Sequence, residues 1–216
     1  MDEYQIPRER MIERLREHYK IKDERVLDAM RSVPRHFFVP EALKTQAYRD
    51  NALPIAANQT ISQPFIVARM TELLELNNQS KILEIGAGSG YQSAILSQLA
   101  EKIYAIERVP QLVGEAQQRI NKLNIQNVFL LCADGTNGLE KHAPFDGILV
   151  AAGSPNLPEP LLKQLKPGGK LVIPIGENQK SQKLTRVTRT ANGFQTEDFG
   201  DCSFVPLIGE HGWKNG

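Results

Sequence analysis

The chain lacks the features that mark several large classes of protein. Only two of its 216 residues are cysteine, Cys132 and Cys202. Two isolated cysteines form neither a disulfide framework nor a zinc-ligand pattern. Its four histidines, His18, His36, His142 and His211, are scattered, and no pair stands at a metal-ligand spacing, so no metal is expected. No run approaches the ~18 apolar residues of a membrane span. The first residues, Met-Asp-Glu-Tyr-Gln-Ile-Pro-Arg-Glu-Arg, lack the apolar core of a secretory leader. These absences lead to the expectation of a cytoplasmic chain. Excess charge of one sign is also missing: 26 Lys and Arg stand against 25 Asp and Glu, a net +1. Nucleic-acid binders gather basic residues on one face. A balanced chain offers no general attraction to nucleic acid or to an anionic membrane, and neither is expected as a partner.

What the chain does have is alternation. Met11, Ile12, Leu15 and Tyr19 recur at helical spacing over Pro7 to Tyr19, and Val26, Leu27, Met30 and Val33 repeat the pattern up to Pro34. The mixed charges between them read as solvated faces. Val33 to Pro64 is punctuated by proline and has no strong period, the kind of long irregular stretch that is usually functional or partly disordered. Pro64 stands at a first helical position, ahead of a stripe of Ile66, Val67, Met70, Leu73 and Leu74. From Lys81 onward, strands at 81–85, 102–107, 127–134, 145–152 and 170–175 alternate with helical stretches. The last of these, 158–165, is closed by Pro167-Gly168-Gly169. Lys183 to Thr190 then alternates, Gly193 breaks the pattern, and 194–204 supplies a further strand. The prediction is an α/β fold with a doubly wound, mostly parallel sheet, antiparallel C-terminal edge strands and N-terminal helices. The chain reads as a single domain over 1–216, with 1–63 as N-terminal helices and an active-site segment, 64–176 as a donor-binding core and 177–216 as C-terminal strands.

The most informative stretch is Lys81-Ile82-Leu83-Glu84-Ile85-Gly86-Ala87-Gly88-Ser89-Gly90. An apolar strand ends in an acid and breaks into three glycines at alternate positions before a helix begins at Tyr91. Glycine lets the backbone turn sharply and lets a ligand approach. A dinucleotide fingerprint, G-x-G-x-x-G, would need its third glycine at position 91, which is Tyr91. A carboxylate beside the loop would repel a pyrophosphate, whereas it suits the α-ammonium of a methionine moiety. The expected ligand is S-adenosyl-L-methionine, with Glu84, Gly86 and Gly88 at its site.

Two further strand ends extend the site. Glu107 ends the next strand, where a carboxylate about 20 residues after the loop accepts from ribose hydroxyls. The competing reading is a solvated strand end or a helix-start acid ahead of Pro110. Asp134-Gly135 suits an adenine, with the acid accepting from the exocyclic amine and the glycine leaving room for the ring; Asp-Gly is also a common turn pair. Glu84, Glu107, Asp134 and Ala152 all end strands and should gather at one crevice, beyond the C-terminal ends of the first, second and fourth strands of the alternating region.

Methyl transfer from a sulfonium is an in-line displacement in which the protein mainly aligns the acceptor and excludes water. A carboxylate acceptor is already ionised at neutral pH, so the lack of a catalytic His–Asp or Cys–His pattern is consistent with this chemistry. Ser62, in Gln59-Thr60-Ile61-Ser62-Gln63-Pro64, stands just outside the N-terminus of the Pro64 helix, where free N–H groups and the helix dipole favour an anion. It reads equally as a seat for a carboxylate or as an ordinary helix cap.

These segments resemble one family. Val33-Pro34-Arg35-His36-Phe37-Phe38-Val39-Pro40, Thr60-Ile61-Ser62-Gln63-Pro64, the glycine loop through Tyr91-Gln92, Ala143-Pro144-Phe145-Asp146, Leu165-Lys166-Pro167-Gly168-Gly169 and Phe204-Val205-Pro206-Leu207 together resemble the protein-L-isoaspartate O-methyltransferases. The glycine loop and Pro-Gly-Gly are shared widely among class I methyltransferases; Thr-Ile-Ser-Gln-Pro is far more specific. The resemblance implies transfer of a methyl group to the free α-carboxylate of L-isoaspartyl residues in damaged proteins and peptides, by a monomer, with S-adenosyl-L-homocysteine as product. It implies that Ser62 is the active-site hydroxyl and that Thr60 and Ile61 lie beside donor and peptide. It also implies that Val205 and Pro206 line the acceptor groove, and that Glu84, Gly86, Glu107, Asp134 and Gly135 contact the donor.

One departure stands out. The family often reads Ile-Gly-x-Gly-Gln before Thr-Ile-Ser, and here the segment is Ile55-Ala56-Ala57-Asn58-Gln59. Asn58 can take a left-handed conformation at small cost; Ala56 is the less permissive replacement and should stiffen the loop. Other readings are a methyltransferase for a small carboxylate or for nucleic acid, and a non-catalytic S-adenosylmethionine-binding module. Amino-methylating nucleic-acid enzymes place an Asp/Asn-Pro-Pro-aromatic motif after the fourth strand, where this chain has Ala151-Ala152-Gly153-Ser154-Pro155-Asn156.

Overall fold

The computed structural model describes residues 3–214. Helix α1 (Gln5–Glu17) buries Met11, Ile12 and Leu15, and α2 (Glu24–Ser32) buries Val26, Leu27, Ala29 and Met30, each along one stripe. The Asp23 carboxylate accepts the Arg25 N–H at 3.0 Å and starts α2. Val33, forced extended ahead of Pro34, ends it. Arg16 pairs with Glu24 and Arg31 with Glu9 across the exposed faces, at 2.6 and 3.1 Å, contacts that each stabilise little.

The proline-punctuated stretch is packed. Two 3-10 turns, Arg35–Phe38 and Glu41–Gln46, lead into a short antiparallel hairpin of β1 (Leu53–Pro54) and β2 (Thr60–Ile61), and then into α3 (Pro64–Leu73). Phe38, Val39, Ala47, Tyr48 and Leu53 are buried in the same core as α1 to α3. Local period is weak here because the burial is irregular.

The rest is one seven-stranded sheet. In chain order come β3 (Lys81–Ile85), α4 (Tyr91–Ser97), β4 (Lys102–Glu107), α5 (Pro110–Lys122), β5 (Val128–Cys132), β6 (Phe145–Val150), α6 (Glu159–Lys163), β7 (Leu165–Asn178), β8 (Ser181–Thr190) and β9 (Gly193–Cys202). The sheet order is β5-β4-β3-β6-β7-β8-β9. The five strands from β5 to β7 are parallel, and β8 and β9 add an antiparallel meander. Successive residues of β3 face opposite sides: Ile82 packs with the N-terminal helices, Leu83 and Ile85 with Phe145, Leu161 and Leu207. Burial on both faces explains why these strands read as continuous apolar runs.

The structure corrects one boundary. Pro167-Gly168-Gly169 does not separate a helix from a strand; it lies inside β7. Phe145 pairs with Leu165 and Gly147 with Lys170, so the intervening residues of β7 bulge. Gly168 has φ +81°, and a Cβ on Gly169 would lie 2.8 Å from the Lys166 carbonyl oxygen, which is why glycine serves there. The helix before it is correspondingly short. Among the described residues no helix is long and apolar enough to cross a membrane.

A second correction concerns the hairpin loop. Its closure is the Ile55 N–H donated to the Gln59 carbonyl at 2.8 Å. Ala57 and Asn58 carry the left-handed backbone, at φ +56° and +55°, and Ala56 does not. The strained alanine is therefore Ala57, at the position the family pattern leaves open, and not Ala56. An alanine in this region costs about 1–2 kcal/mol, against about 0.4–1 kcal/mol for the freedom a glycine adds to the unfolded chain. Ala57→Gly is expected to raise stability by up to about 1 kcal/mol and Ala56→Gly to lower it by about 0.4–1 kcal/mol, read by urea unfolding. The reverse ranking would return the strain to Ala56.

Candidate functional site

The chain leaves β3 for β4 on one side and returns to β6 on the other, so the crevice beyond the C-terminal ends of β3 and β6 is a topological switch point. The glycine loop folds over it. Gly86, Gly88 and Gly90 take φ of +87°, +52° and +85°, values that side chains disfavour. The Gly86 and Ala87 N–H groups donate to the Ile106 carbonyl at 2.8 and 3.1 Å, and Ala151 N–H donates to the Ile85 carbonyl at 2.8 Å. Two adjoining cavities result. The first is open at its mouth and is lined by Thr60, Gly86, Gly88, Glu107, Gly135, Ala151, Ala152 and the 205–208 segment. The second is lined by Thr60, Ile61, Ser62, the 86–89 loop, Tyr91 and Gln92. Thr60, Gly86, Gly88 and Ala151 border both.

Glu107 is buried, which excludes a solvated strand end. One carboxylate oxygen accepts the Gly88 N–H and the other the Val109 N–H, both at 2.9 Å. It thus fastens the glycine loop to the start of α5 and still faces the first cavity with lone pairs to spare.

Asp134 sits differently from the expectation. Its Oδ1 accepts the Thr136 N–H and hydroxyl at 2.9 and 2.7 Å, and its Oδ2 accepts the Glu210 N–H at 2.8 Å. Burial pushes this carboxyl up, but the Glu210 and Thr136 donors and the nearby Arg108 charge outweigh it and hold the group below its ordinary range. Asp134 anchors the C-terminal segment and does not line the cavity; Gly135 does. A Cβ at Gly135 would overlap the Ile85 side chain, so this wall has room only for backbone.

Glu84 is wholly buried behind the loop and lines neither cavity. Its Oε2 accepts the Ser93 hydroxyl at 2.5 Å, which joins β3 to α4, and its Oε1 has no partner. Burial pushes its carboxyl up to about 8, with the Glu107 charge adding to the rise and the Ser93 hydroxyl opposing it. Burial therefore works against the negative charge expected at this position.

Ser62 is not a helix cap. The N-cap of α3 is Gln63, whose own side chain makes no capping hydrogen bond. The anion at that helix end is the chain's own Asp50, whose Oδ1 accepts the Phe65 N–H at 2.8 Å. Among the described residues the Ser62 hydroxyl has no hydrogen-bond partner, while its carbonyl accepts from Arg35 Nη2 at 2.8 Å. Ser62 lines the second cavity and Val205 and Pro206 the first, so the two halves of the expected acceptor groove face adjoining spaces. Sequence reasoning missed Asp50 and the placing of Arg35. Arg35 lay inside a quoted motif, but neither period nor spacing ties a residue in a 3-10 turn to Ser62, 27 positions on. Among the described residues no three His, Cys, Asp or Glu side chains could hold a metal ion.

A parallel sheet with an antiparallel C-terminal meander, a glycine loop after its first strand and a buried acid ending the next defines a class I methyltransferase. The chain belongs to the family "Protein-L-isoaspartate(D-aspartate) O-methyltransferase", whose model matches residues 6–212. It is 50% identical over 214 residues to protein-L-isoaspartate O-methyltransferase 1 of Syntrophobacter fumaroxidans, covering 99% of this chain and all of that protein. It is 52% identical over 207 residues to the protein-L-isoaspartate O-methyltransferase of Methanospirillum hungatei, covering 96% and 95% of the two chains. A solved Plasmodium falciparum structure, titled a putative protein-L-isoaspartate O-methyltransferase in complex with S-adenosyl-L-homocysteine, superposes with a TM-score of 0.80 at 27% identity, covering 93% of this chain and 98% of that one.

The buried Glu84 carboxyl makes stability depend on pH in a defined direction. Glu84 titrates near 4.5 when solvated and at about 8 in the fold, so the folded state keeps a proton that the unfolded chain releases between those values. Its contribution is fully present below about 4.5 and is lost as pH rises to about 8. Denaturation across this range is expected to show wild type losing stability relative to Glu84→Gln, with the difference levelling above about pH 8. A constant difference would mean that Glu84 is ionised throughout.

Proposed function

We propose that this chain repairs damaged proteins by methylating the free α-carboxylate of L-isoaspartyl residues, with S-adenosyl-L-methionine as donor and S-adenosyl-L-homocysteine as product. The observation that carries the reading is an unengaged Ser62 hydroxyl in a cavity that shares its glycine-loop wall with the first cavity, in a chain of the protein-L-isoaspartate O-methyltransferase family. The residues fit the donor. Left-handed glycines and the side-chain-free wall at Gly135 leave space for a ring system, and Glu107 offers acceptor lone pairs at the cavity edge.

When bound, the donor would supply an electrophilic methyl group on a sulfonium: the acceptor carboxylate oxygen bonds to that carbon in line as its bond to sulfur breaks, and the neutral thioether S-adenosyl-L-homocysteine leaves. Ser62 donates its hydroxyl to the acceptor carboxylate and orients it; no side chain needs to remove a proton. Thr60 and Ile61 border donor and peptide, and Val205 and Pro206 form the far side of the acceptor entrance. Gly86, Gly88, Glu107 and Gly135 hold the donor directly, while Glu84 and Asp134 act through the loop and turn they brace. Enclosure keeps competing water away. The methyl ester is the better electrophile, so the adjoining backbone amide nitrogen attacks it, methanol leaves as the succinimide re-forms, and water reopens some of the ring to normal aspartate.

The acceptor is protein or peptide. We read the enzyme as a cytoplasmic monomer that requires neither nucleic acid nor a membrane. We read it as one domain over 1–216, with the donor core at 64–176 between the 1–63 and 177–216 segments; residues 1–2 and 215–216 lie outside the described residues. A labelled-donor assay with paired peptides, one Asp and one isoAsp, should label only the isoAsp peptide, and equal or absent labelling of the two rejects the reading.

Ser62→Ala is expected to lower kcat by about 10-fold or more with donor affinity nearly unchanged, because its hydroxyl acts on the aligned acceptor. A stability loss with unaltered kcat would return Ser62 to a structural role. Glu107→Ala is expected to weaken donor binding by about 1.5–3 kcal/mol, as for a charged hydrogen bond, measured by calorimetry. Unaltered affinity removes Glu107 from the donor site.

A further inference from the structure

Arg35 is among the largest side chains fully withdrawn from solvent in the described structure, and the reaction as assigned above does not use it. Its Nε donates to the Ala47 carbonyl at 2.7 Å and its Nη2 to the Ser62 carbonyl at 2.8 Å. Its guanidinium carbon stands 4.9 Å from the centroid of the Tyr91 ring. Tyr91, itself buried, is the first residue of α4, directly after Gly90 of the glycine loop. One rigid cation thus touches both the segment that presents the acceptor hydroxyl and the helix that carries the donor loop.

The arrangement is costly as packing alone. A buried charge is unfavourable unless it is paired and hydrogen-bonded, yet Nη1 of Arg35 makes no hydrogen bond of its own, and what faces the cation is the Tyr91 ring and the charge of Asp50. An apolar side chain of similar volume would fill the space without that penalty. What an apolar side chain could not do is hold two carbonyls at a set separation, which the planar guanidinium does. Ser62 needs such a hold, because neither its own hydroxyl nor the Gln63 side chain ties the turn to α3. Asp50 completes it from the other side by accepting the Phe65 N–H, three residues beyond Ser62.

We propose that Arg35 is a positioning residue for methyl transfer, fixing the Ser62 segment against the α4 end of the glycine loop so that the acceptor carboxylate meets the donor in line. It touches neither donor nor acceptor and acts through Ser62, so the inference rests on the assignment of Ser62 to acceptor orientation. Arg35→Lys keeps the charge and removes the planar fork. A misplacement of about 1 Å can cost about 100-fold in rate, so a fall in kcat of about 10-fold or more is expected, with donor affinity by calorimetry within about twofold of wild type.

The deciding experiment is a cycle of wild type, Arg35→Lys, Ser62→Ala and the double variant, assayed on an isoAsp peptide with thermal unfolding in parallel. If Arg35 acts through Ser62, Arg35→Lys should lower kcat by less than about twofold in the Ser62→Ala background, because coupled residues are not additive. The same factor in both backgrounds, or an unaltered kcat for folded Arg35→Lys, overturns the proposal and leaves the function intact. An unaltered kcat for Ser62→Ala overturns the Ser62 assignment and this proposal with it, while isoAsp-selective labelling by wild type would still stand. Should Arg35→Lys not fold, Arg35→Gln is read in the same cycle; if neither folds, Arg35 serves the fold alone and the proposal fails.

Discussion

The Glu107 carboxylate is the contact on which the site most depends. It lies at the buried end of β4, takes the Gly88 N–H on one oxygen and the Val109 N–H on the other, and so ties the turn after β3 to the start of α5. A loop with three left-handed glycines has little intrinsic preference for one shape. It keeps its shape because its amides are satisfied from below, by the Ile106 carbonyl and by this carboxylate. The cavity walls on either side follow from that arrangement.

The cavity wall proposed to take the acceptor is built by a different logic. No regular element carries Ser62; it sits between a two-residue strand and a helix and is braced by the buried Arg35 and Asp50 contacts on either side. The wall proposed for the donor uses backbone geometry set by glycine, and the one proposed for the acceptor uses the buried Arg35 and the half-buried Asp50. The two meet at Thr60, Gly86, Gly88 and Ala151, which border both cavities. Partition of the work between a rigid loop and a braced turn suits a reaction whose main demand is alignment.

Much of this was legible in the residues. Alternating apolar runs and helical stripes predicted the parallel strands and their flanking helices, because burial on both faces demands such patterns. Glycines at alternate positions followed by a strand-ending Glu107 marked the first cavity, proposed to take the donor, for the same reason that a dinucleotide loop is legible: the constraint is local and confined to backbone conformation. Other features were not readable. Pro167-Gly168-Gly169 looked like a stop and is a bulge within β7, a distinction set by pairing with β6. Asp134 looked like a free acceptor and is engaged by Glu210, 76 positions away. Glu84 looked like an anion, and its burial favours the protonated carboxyl.

The sequence by itself determined the class of fold, the positions of the glycine loop and its acid, and the family to which the chain belongs. Each rests on residue types at short, fixed spacings. Only the tertiary structure decided the burial of Glu84, the release of the Ser62 hydroxyl from capping, the left-handed turn at Ala57, and the union of Arg35 with Ser62 and Tyr91. Solvation and hydrogen-bond partnership depend on what packs against a group, and those neighbours come from distant parts of the chain.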